Sequence, residues 1–265
     1  MDAPQNAIEA IHLRRVFSRA ERGSGLKAAL KNFVSPRFIE KVAVDDVSFH
    51  VPRASCVGVV GANGAGKTTL LKMCAGLLHP TSGSIRVLGS VPAERERSYL
   101  KRIGMVMGQK SQLWVDIPAG DSFDLLASIY EVPAAVYKQR LDELVKLFGV
   151  EKHLGVQVRR LSLGERMKFE IIASLLHRPD LLIMDEPTIG LDLLAKDTIR
   201  DFIREYNRLH RTTILLSSHD MDDILEICDR LLIVARGKIR FNGTVEEFRS
   251  ASHTFTHQIR ELLKE

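Results

Sequence analysis

The stretch GANGAGKTTL, residues 61 to 70, has the residue types and spacing of a loop that binds phosphate groups. Glycines lack a Cβ atom, so backbone N–H groups can approach a phosphate chain and φ can be positive. Lys67 supplies a positive charge for the terminal phosphates, and the Thr68 hydroxyl can bind Mg²⁺. A strand pattern before the loop and a helical pattern after it argue against an accidental glycine-rich turn. The predicted nucleotide-binding residues are Gly61, Asn63, Gly64, Ala65, Gly66, Lys67, Thr68 and Thr69.

Two adjacent acids, Asp185 and Glu186, follow the apolar run LLIM. An aspartate at the carboxyl end of a strand beside a phosphate loop can hold Mg²⁺. The next carboxylate can orient or deprotonate a water molecule for attack on a γ-phosphate. A buried carboxylate pair without a partner costs several kcal/mol, and the neighbouring sequence offers no cation. The pair therefore predicts hydrolysis rather than binding alone.

His219 ends the run TTILLSSH, at the carboxyl end of another predicted strand. A lone histidine is more often a structural residue, and most of the nine histidines in this chain must be. Its position at a strand end, after the acid pair, nevertheless favours contact with the γ-phosphate.

The elements that must position these residues alternate between short apolar runs and longer helical patterns. The runs at 56–61, 181–187, 212–220 and 231–237 predict strands, and the pattern at 67–78 predicts the helix after the phosphate loop. This alternation is typical of a parallel sheet covered by helices, in which ligands bind at the carboxyl edge. The segments 1–109 and 176–241 are predicted to form this nucleotide-binding core.

The intervening segment, 110–175, contains helical spacing without a convincing strand, and it predicts an all-helical subdomain. RGKIRFNGT predicts a hairpin, and 242–265 predicts a short helical tail. The chain of 265 residues with 45% apolar content is thus expected to form one domain, 1–265.

Composition restricts the classes of protein without selecting one. No run of about 18 apolar residues could span a bilayer, and the start of the chain lacks a secretory signal, so we expect a cytosolic protein. The net charge of +5 would suit nucleic acid, a nucleotide or an anionic membrane. The three cysteines show neither disulfide nor zinc spacing and predict buried apolar residues.

The motifs, taken in order, resemble those of ATP-binding subunits of ABC transporters over nearly the whole chain. LSLGE, 161 to 165, resembles the family signature, and MGQKSQ places Gln109 at the Q-loop glutamine. IGLD places Asp192 in the D-loop, and SSHD places His219 in the switch loop. The resemblance implies an α/β fold: a P-loop NTPase core with a mostly parallel sheet, a small antiparallel β part and an all-helical subdomain. It also implies ATP and Mg²⁺ as cofactors, with Gln109 as a γ-phosphate sensor and metal ligand.

The signature residues Ser162 and Gly164 stand at the start of a predicted helix, whose amino end favours an anion. In the family this end faces the ATP of a second protomer, so the resemblance implies a dimer of identical or related subunits around two ATP molecules. Leu163 replaces a glycine of the family pattern, and Glu165 replaces its glutamine. Leu163 therefore either crowds the phosphate or packs away from it.

Similar ATPases stack adenine on an aromatic ring ahead of the phosphate loop. Phe38 is the predicted ring, because it lies about where they place it, and Phe17 is the alternative that we assign to the core. Stacking contributes about 1 kcal/mol with little base selectivity.

The segment 18–37 is longer than the turn expected there and lies in a strongly basic stretch. Leu26, Leu30 and Phe33 recur at helical spacing, so it could lie on anionic headgroups or a membrane partner, or form a solvated surface helix. A similar insertion occurs at the membrane face in ATPase subunits of polysaccharide and teichoic acid exporters.

The predicted function is to hydrolyse ATP and power a separate transmembrane permease from the cytoplasmic face of the membrane. MGQKSQLW and DEPTIGLD most resemble subunits paired with export-type permeases. The groove beside 109–123 is the expected docking surface, with Trp114 either an anchor or a core residue. A soluble ABC ATPase acting on the ribosome or DNA is the alternative, but the chain has neither two such domains nor a coiled coil, so no nucleic acid is expected.

Overall fold

A computed structural model describes residues 5–20, 38–108 and 110–251 of the protein. The segment predicted as a basic insert, 18–37, is described only at 18–20, and the predicted tail, 242–265, only up to 251. Gln109 lies outside the described residues.

The central sheet has six strands in the order β5-β6-β7-β3-β8-β9. Five of these strands are parallel, and β9 pairs antiparallel with β8 in the hairpin that the sequence predicts. The parallel register brings Asp185 opposite Ser217 and Val60 opposite Ser218, so the polar strand ends meet at one edge. The six strands are β3 Cys56–Val60, β5 Ile103–Met107, β6 Leu181–Asp185, β7 Thr213–Ser218, β8 Arg230–Ala235 and β9 Lys238–Thr244.

A second, antiparallel sheet has the order β2-β1-β4 and comprises β1 Asn6–Ala20, β2 Phe38–Pro52 and β4 Ser82–Val87. Strand β1 continues past Phe17, and Ala20 pairs with Phe38 at the end of the β1–β2 pair. Residues 18–20 continue the strand because each of them pairs with a residue of β2.

Eight α-helices lie in the described residues. Helix α1 ends at Cys74 rather than at the predicted Leu78, because Gly76 has φ +69° and a Cβ atom there would lie 2.1 Å from the Pro92 carbonyl oxygen. The helices are α1 Lys67–Cys74, α2 Arg97–Leu100, α3 Ala119–Ile129, α4 Ala134–Phe148, α5 Leu163–Leu175, α6 Leu193–His210, α7 Met221–Ile227 and α8 Val245–Ala251.

Both faces of the central sheet are buried, because successive side chains of a strand point to opposite sides. Leu181 and Ile183 pack with α1 and the antiparallel sheet, whereas Leu182 and Met184 pack with α5, α6 and α7. This packing on both faces fixes the position of the carboxyl edge of the sheet. The predicted α/β fold with a mostly parallel sheet and a small antiparallel part is confirmed.

Within the described ranges, no helix combines the length and apolar character needed to cross a bilayer. The three cysteines are buried and free, as the sequence predicts.

Candidate nucleotide site

A cleft of about 460 Å³ opens at the carboxyl edge of the central sheet, above the loop that joins β3 to α1. Six of the predicted loop residues line it: Asn63, Gly64, Gly66, Lys67, Thr68 and Thr69. Gly61 and Ala65 lie behind this lining, where Gly61 accepts a hydrogen bond from Lys67 and Ala65 is buried.

The loop needs glycine at Gly66 for two reasons. Its φ is +113°, and a Cβ atom there would lie 2.4 Å from the Ala43 carbonyl oxygen. Gly64 also has a positive φ, +84°, but open space surrounds the position of its missing Cβ. Backbone N–H groups in such a bare loop can approach a phosphate chain closely.

Lys67 is buried, with 6% of its side chain exposed, yet it keeps its charge partnered. Its Nζ donates to the carbonyl oxygens of Gly61 at 2.7 Å and Ala62 at 3.4 Å, and lies 3.3 Å from Glu186 Oε1. A buried ammonium needs such partners because desolvation penalises an isolated charge. The contacts hold the ammonium at the cleft, where phosphate oxygens can bind it.

The predicted metal ligands Thr68 and Asp185 are in contact. The Thr68 hydroxyl donates to Asp185 Oδ1 at 3.1 Å, and the Ser217 hydroxyl donates to the same oxygen at 2.6 Å. A hydroxyl and a carboxylate suit Mg²⁺, which commonly takes one or two protein oxygens and completes its shell with water and substrate phosphates. Among the described residues, no cluster of three or more His, Cys, Asp or Glu could hold a metal.

Glu186 is held between the Lys67 ammonium and the His219 ring. Its Oε1 faces Lys67, while its Oε2 lies 2.7 Å from the His219 ring Nδ1 and 3.3 Å from the His219 backbone nitrogen. The sequence next to Glu186 offers no such partner. Lys67 comes from α1 and His219 follows the end of β7, so both partners lie in distant segments of the chain. Glu186 also has φ +53°, a left-handed conformation that costs free energy in a non-glycine residue.

Ser217 is a functional residue that the sequence analysis missed. Its hydroxyl donates to Asp185 Oδ1 and accepts a hydrogen bond from the Glu186 backbone N–H at 3.1 Å. It thereby orients both acids. The available signal was its position on the strand that ends just before His219.

Among the described residues, Phe17 is the aromatic ring that lines this cleft. It lines the cleft with Lys41 and Ala43, 38% of it is exposed, and the Arg15 guanidinium lies 4.7 Å from its centroid. The assignment of Phe17 to the core is therefore wrong. Phe38 is 62% exposed and is not among the residues that line the cleft. The strand register explains why Phe17 rather than Phe38 reaches the cleft. Phe17 pairs with Lys41, which also lines the cleft, whereas Phe38 is the first residue of β2.

Ser162 caps the amino end of α5 in a reciprocal capping box. Its hydroxyl accepts from the Glu165 N–H at 3.2 Å, and its own N–H donates to Glu165 Oε2 at 2.8 Å. Hydrogen bonds from the Ser162 side chain and backbone lower the pKa of Glu165. Glutamate can replace glutamine here because either side chain accepts the bond that closes the box.

Leu163 packs on the loop that leads to Asp192. A Cβ atom on Gly190 would lie 3.3 Å from Leu163 Cδ2, and one on Gly164 would lie 3.0 Å from Ala195 Cβ. Asp192 caps α6 by accepting from the Ala195 N–H at 2.9 Å. Ser162, Gly164 and Asp192 thus form a second cluster, and none of the three lines the cleft. Apart from Phe38, which lies in neither, and Gln109, which lies outside the described residues, the structure brings the predicted site residues together in two groups.

These features are shared with known proteins. Residues 44–189 match the family described as ABC transporter. The ABC transporter ATP-binding protein NatA of Bacillus subtilis (strain 168) is 35% identical over 204 residues, which cover 77% of this chain and 82% of that protein. The chain belongs to the ABC transporter family.

Further relatives agree with this assignment. The Nod factor export ATP-binding protein I of Ralstonia nicotianae is 34% identical over 84% of this chain and 67% of its own. The solved structure of an ATP-binding subunit of an ABC transporter superposes with a TM-score of 0.75, at 27% identity and 92% coverage of both chains. The prediction of an ATP-binding and ATP-hydrolysing subunit of an ABC transporter is confirmed.

Proposed function

We propose that this ABC ATPase binds MgATP in the cleft, closes on a second protomer through its signature end, and thereby drives export through a separate transmembrane permease. The observation that carries the proposal is Glu186, which reaches both Lys67 and His219 beside the phosphate loop. This arrangement gives one carboxylate access to the place where a γ-phosphate would meet the Lys67 ammonium.

Each cleft residue has a distinct chemical role. Lys67 and the backbone of 61–69 bind the phosphate chain, and Phe17 stacks on adenine. Asp185 and Thr68 hold Mg²⁺, which when bound neutralises charge on the phosphates. Glu186 orients a water molecule and accepts its proton as the water oxygen attacks the γ-phosphorus and ADP leaves. His219 holds Glu186 and contacts the γ-phosphate.

Gln109 is proposed, from the family resemblance, as the γ-phosphate sensor and a ligand of Mg²⁺. In the sequence it stands between Gly108 and Lys110, which both line the cleft.

The second protomer is proposed because Ser162, Gly164 and Asp192 lie outside the cleft of their own chain. The amino end of α5 favours an anion, so it suits the γ-phosphate held by a partner, whether an identical or a related subunit. Closure of the two chains would then depend on ATP, and hydrolysis would release it.

The permease is proposed to dock on an apolar groove of about 400 Å³ beside α2 and α3. Exposed Leu77 and Ile129 line it, together with Gln112, which belongs to the predicted docking segment 109–123. Such a groove suits the apolar face of a short helix. Trp114 is 44% exposed, which favours the anchor role over the core role.

Export is proposed because relatives carry export or drug-transport names. Besides the Nod factor export protein, the probable multidrug ABC transporter ATP-binding protein YbhF of Escherichia coli is 32% identical over 83% of this chain, which spans 37% of that protein. The basic segment 18–37 is a proposed further contact with the membrane or the permease, at the cytoplasmic face.

Co-purification from membranes tests the proposed partner. Full-length protein isolated from membranes of its native cells should bring down an integral membrane protein. Replacing the groove residue Ile129 with aspartate should abolish that recovery, because a charge there opposes apolar docking, while ATP binding persists. Replacing Lys27 and Lys31 with glutamate tests the basic segment in the same way. Recovery of ribosomes or DNA instead would support the soluble alternative.

A further inference from the structure

Glu170 is a buried carboxylate in the middle of α5, and only 2% of the residue is exposed. The hydrogen bonds to its carboxylate come from uncharged groups: the Ser111 hydroxyl and the Gln112 backbone N–H at 3.0 Å. Burial raises its pKa, and the hydrogen bonds from Ser111, Gln112 and Leu113 together with the nearby charge of Arg166 only partly oppose that shift. A carboxylate in this position costs folding free energy that an apolar side chain would not.

The hydrogen bonds that join these two segments are donated by residues 111–112 and accepted by Glu170. Besides the two bonds to the carboxylate, the Gln112 side-chain amide donates to the Glu170 carbonyl oxygen at 2.8 Å. Glu170 therefore ties residues 111–113 to α5 through its carboxylate, while Gln112 ties the same segment to the α5 backbone.

One of these segments borders the nucleotide cleft. The Gly108 N–H donates to the Asp185 carbonyl oxygen at 2.8 Å, and the Lys110 N–H donates to the Met107 carbonyl oxygen at 3.1 Å. Met107, Gly108 and Lys110 all line the cleft, and Ser111 follows directly. One short stretch of chain thus bonds to the backbone of a proposed metal ligand at Gly108 and to the Glu170 carboxylate at Ser111.

The other segment leads to the signature. Helix α5 begins after Ser162, and its far end rests on β5, because a Cβ atom on Gly104 would lie 2.6 Å from the Ser174 carbonyl oxygen. His177 Nε2 lies 2.9 Å from the Ile103 carbonyl oxygen at the same contact. Glu170 sits between this packed end and the capped end.

We propose that Glu170 is a positioning residue that locks segment 111–113 to the signature helix, so that movement of the cleft wall reaches Ser162 and Gly164 as one rigid shift of α5. This inference rests on the proposed function, in which the signature end closes on a partner. The residue acts without touching the nucleotide. It makes closure respond to whether the cleft is filled.

Two substitutions separate the parts of this role. Glu170→Ala leaves the Gln112 N–H and the Ser111 hydroxyl without their carboxylate acceptor. Glu170→Gln keeps the shape and one oxygen acceptor, and its amide can donate to the Ser111 oxygen. Ser174→Ala is the matched control, because Ser174 is buried on the same helix but bonds only to the Ile171 carbonyl oxygen.

The test uses the full-length chain and three measurements: ATP affinity, steady-state hydrolysis, and ATP-dependent dimerisation in the Glu186→Gln background. We expect Glu170→Ala to lower kcat and dimerisation by about 3- to 30-fold, the size of coupling that such networks carry. We expect the ATP affinity of the single Glu170→Ala chain to stay within about twofold of wild type, because the residue does not touch the nucleotide. Glu170→Gln is expected to fall between wild type and alanine, and Ser174→Ala should lower only the melting temperature.

A double-mutant cycle of Ser111→Ala with Glu170→Gln adds a direct measure of the link. The two changes should be non-additive in kcat, since residues in one hydrogen-bond network couple. Additive effects, or Glu170 variants that match Ser174→Ala in kcat and dimerisation, would overturn the proposal.

Hydrogen exchange decides the proposal even if dimers never form. ATP should slow exchange at residues 162–170 in the wild type, and the slowing should be lost in Glu170→Ala. Equal slowing in both proteins would refute the lock. Failure of the Glu186→Gln chain to dimerise would count against the proposed function alone.

Discussion

The Glu186 carboxylate lies 2.7 Å from the Nδ1 atom of the His219 ring, although 33 positions separate the two residues in the chain. They meet because β6 and β7 are parallel neighbours in the central sheet and both residues follow the carboxyl ends of those strands. The other Glu186 oxygen faces Lys67 at 3.3 Å. We propose that phosphate bound to the Lys67 ammonium draws it away from Glu186, which leaves this carboxylate oxygen available to water.

Glu186→Gln should abolish hydrolysis without abolishing binding. The amide keeps the shape of the side chain but cannot accept a proton, so turnover should fall by at least about 100-fold. Affinity for MgATP should stay close to wild type, and dimers should accumulate. Phosphate release and size-exclusion chromatography with MgATP measure the two effects.

The control for this change is Glu205→Gln, an exposed acid on α6 that pairs with Arg208. It should hydrolyse ATP at the wild-type rate. Turnover of Glu186→Gln within about twofold of wild type would remove Glu186 from its catalytic role.

Phe17→Ala should weaken ATP binding by about fivefold, since the stacked ring contributes about 1 kcal/mol. Phe38→Ala is the matched control and should leave ATP affinity unchanged, because Phe38 is outside the cleft lining. Calorimetry with ATP and with inorganic triphosphate distinguishes base stacking from phosphate binding: triphosphate affinity should not change in either variant. The reverse order of effects would restore Phe38 as the stacking ring.

Leu163→Ala should reduce ATP-dependent dimerisation rather than improve it. Leu163 contacts the Gly190 loop, so truncating it frees that loop and the amino end of α5. Leu147→Ala, a change at another exposed leucine on α4, serves as the control. Analytical ultracentrifugation of both variants in the Glu186→Gln background gives the comparison, and stronger dimers from Leu163→Ala would show that the leucine crowds the phosphate.

Stability should fall in mild acid because of His177. Burial lowers its pKa from 6.5 to about 4, with a smaller contribution from Arg140 and an opposing one from the Ile103 carbonyl. The folded protein holds the ring neutral while the unfolded chain protonates it, so the stability contribution is complete above pH 6.5 and is lost as pH falls towards about 4.

Urea denaturation at a series of pH values checks this expectation. His177→Phe keeps an aromatic ring opposite Tyr130, on which His177 stacks at 3.9 Å, and takes up no proton. Between about pH 7 and about pH 5 the wild type should lose about 2 kcal/mol more unfolding free energy than the variant. Parallel losses in both proteins would assign the acid sensitivity to other groups.

Several features of this protein follow from the sequence alone. The phosphate loop, the strand before it and the acid pair are local patterns, since Gly66, Lys67 and Thr68 act through their own backbone and immediate neighbours. The capping box of Ser162 and Glu165 is local for the same reason, because an N-cap residue bonds only three positions ahead. The family can therefore be recognised from the sequence, because these local motifs occur in the family order and in the expected strand and helix context.

The tertiary structure alone decided which distant groups meet. Register between β1 and β2 placed Phe17 rather than Phe38 at the cleft, and the pairing of β6 with β7 brought Ser217 and His219 to the acid pair. The contacts of Glu170 with Ser111 and of Leu163 with Gly190 likewise cross between segments. Sequence spacing predicts contacts within a helix or strand, but a pairing between elements depends on how whole faces pack, and a shift of one residue in a strand reverses which side chains face the site.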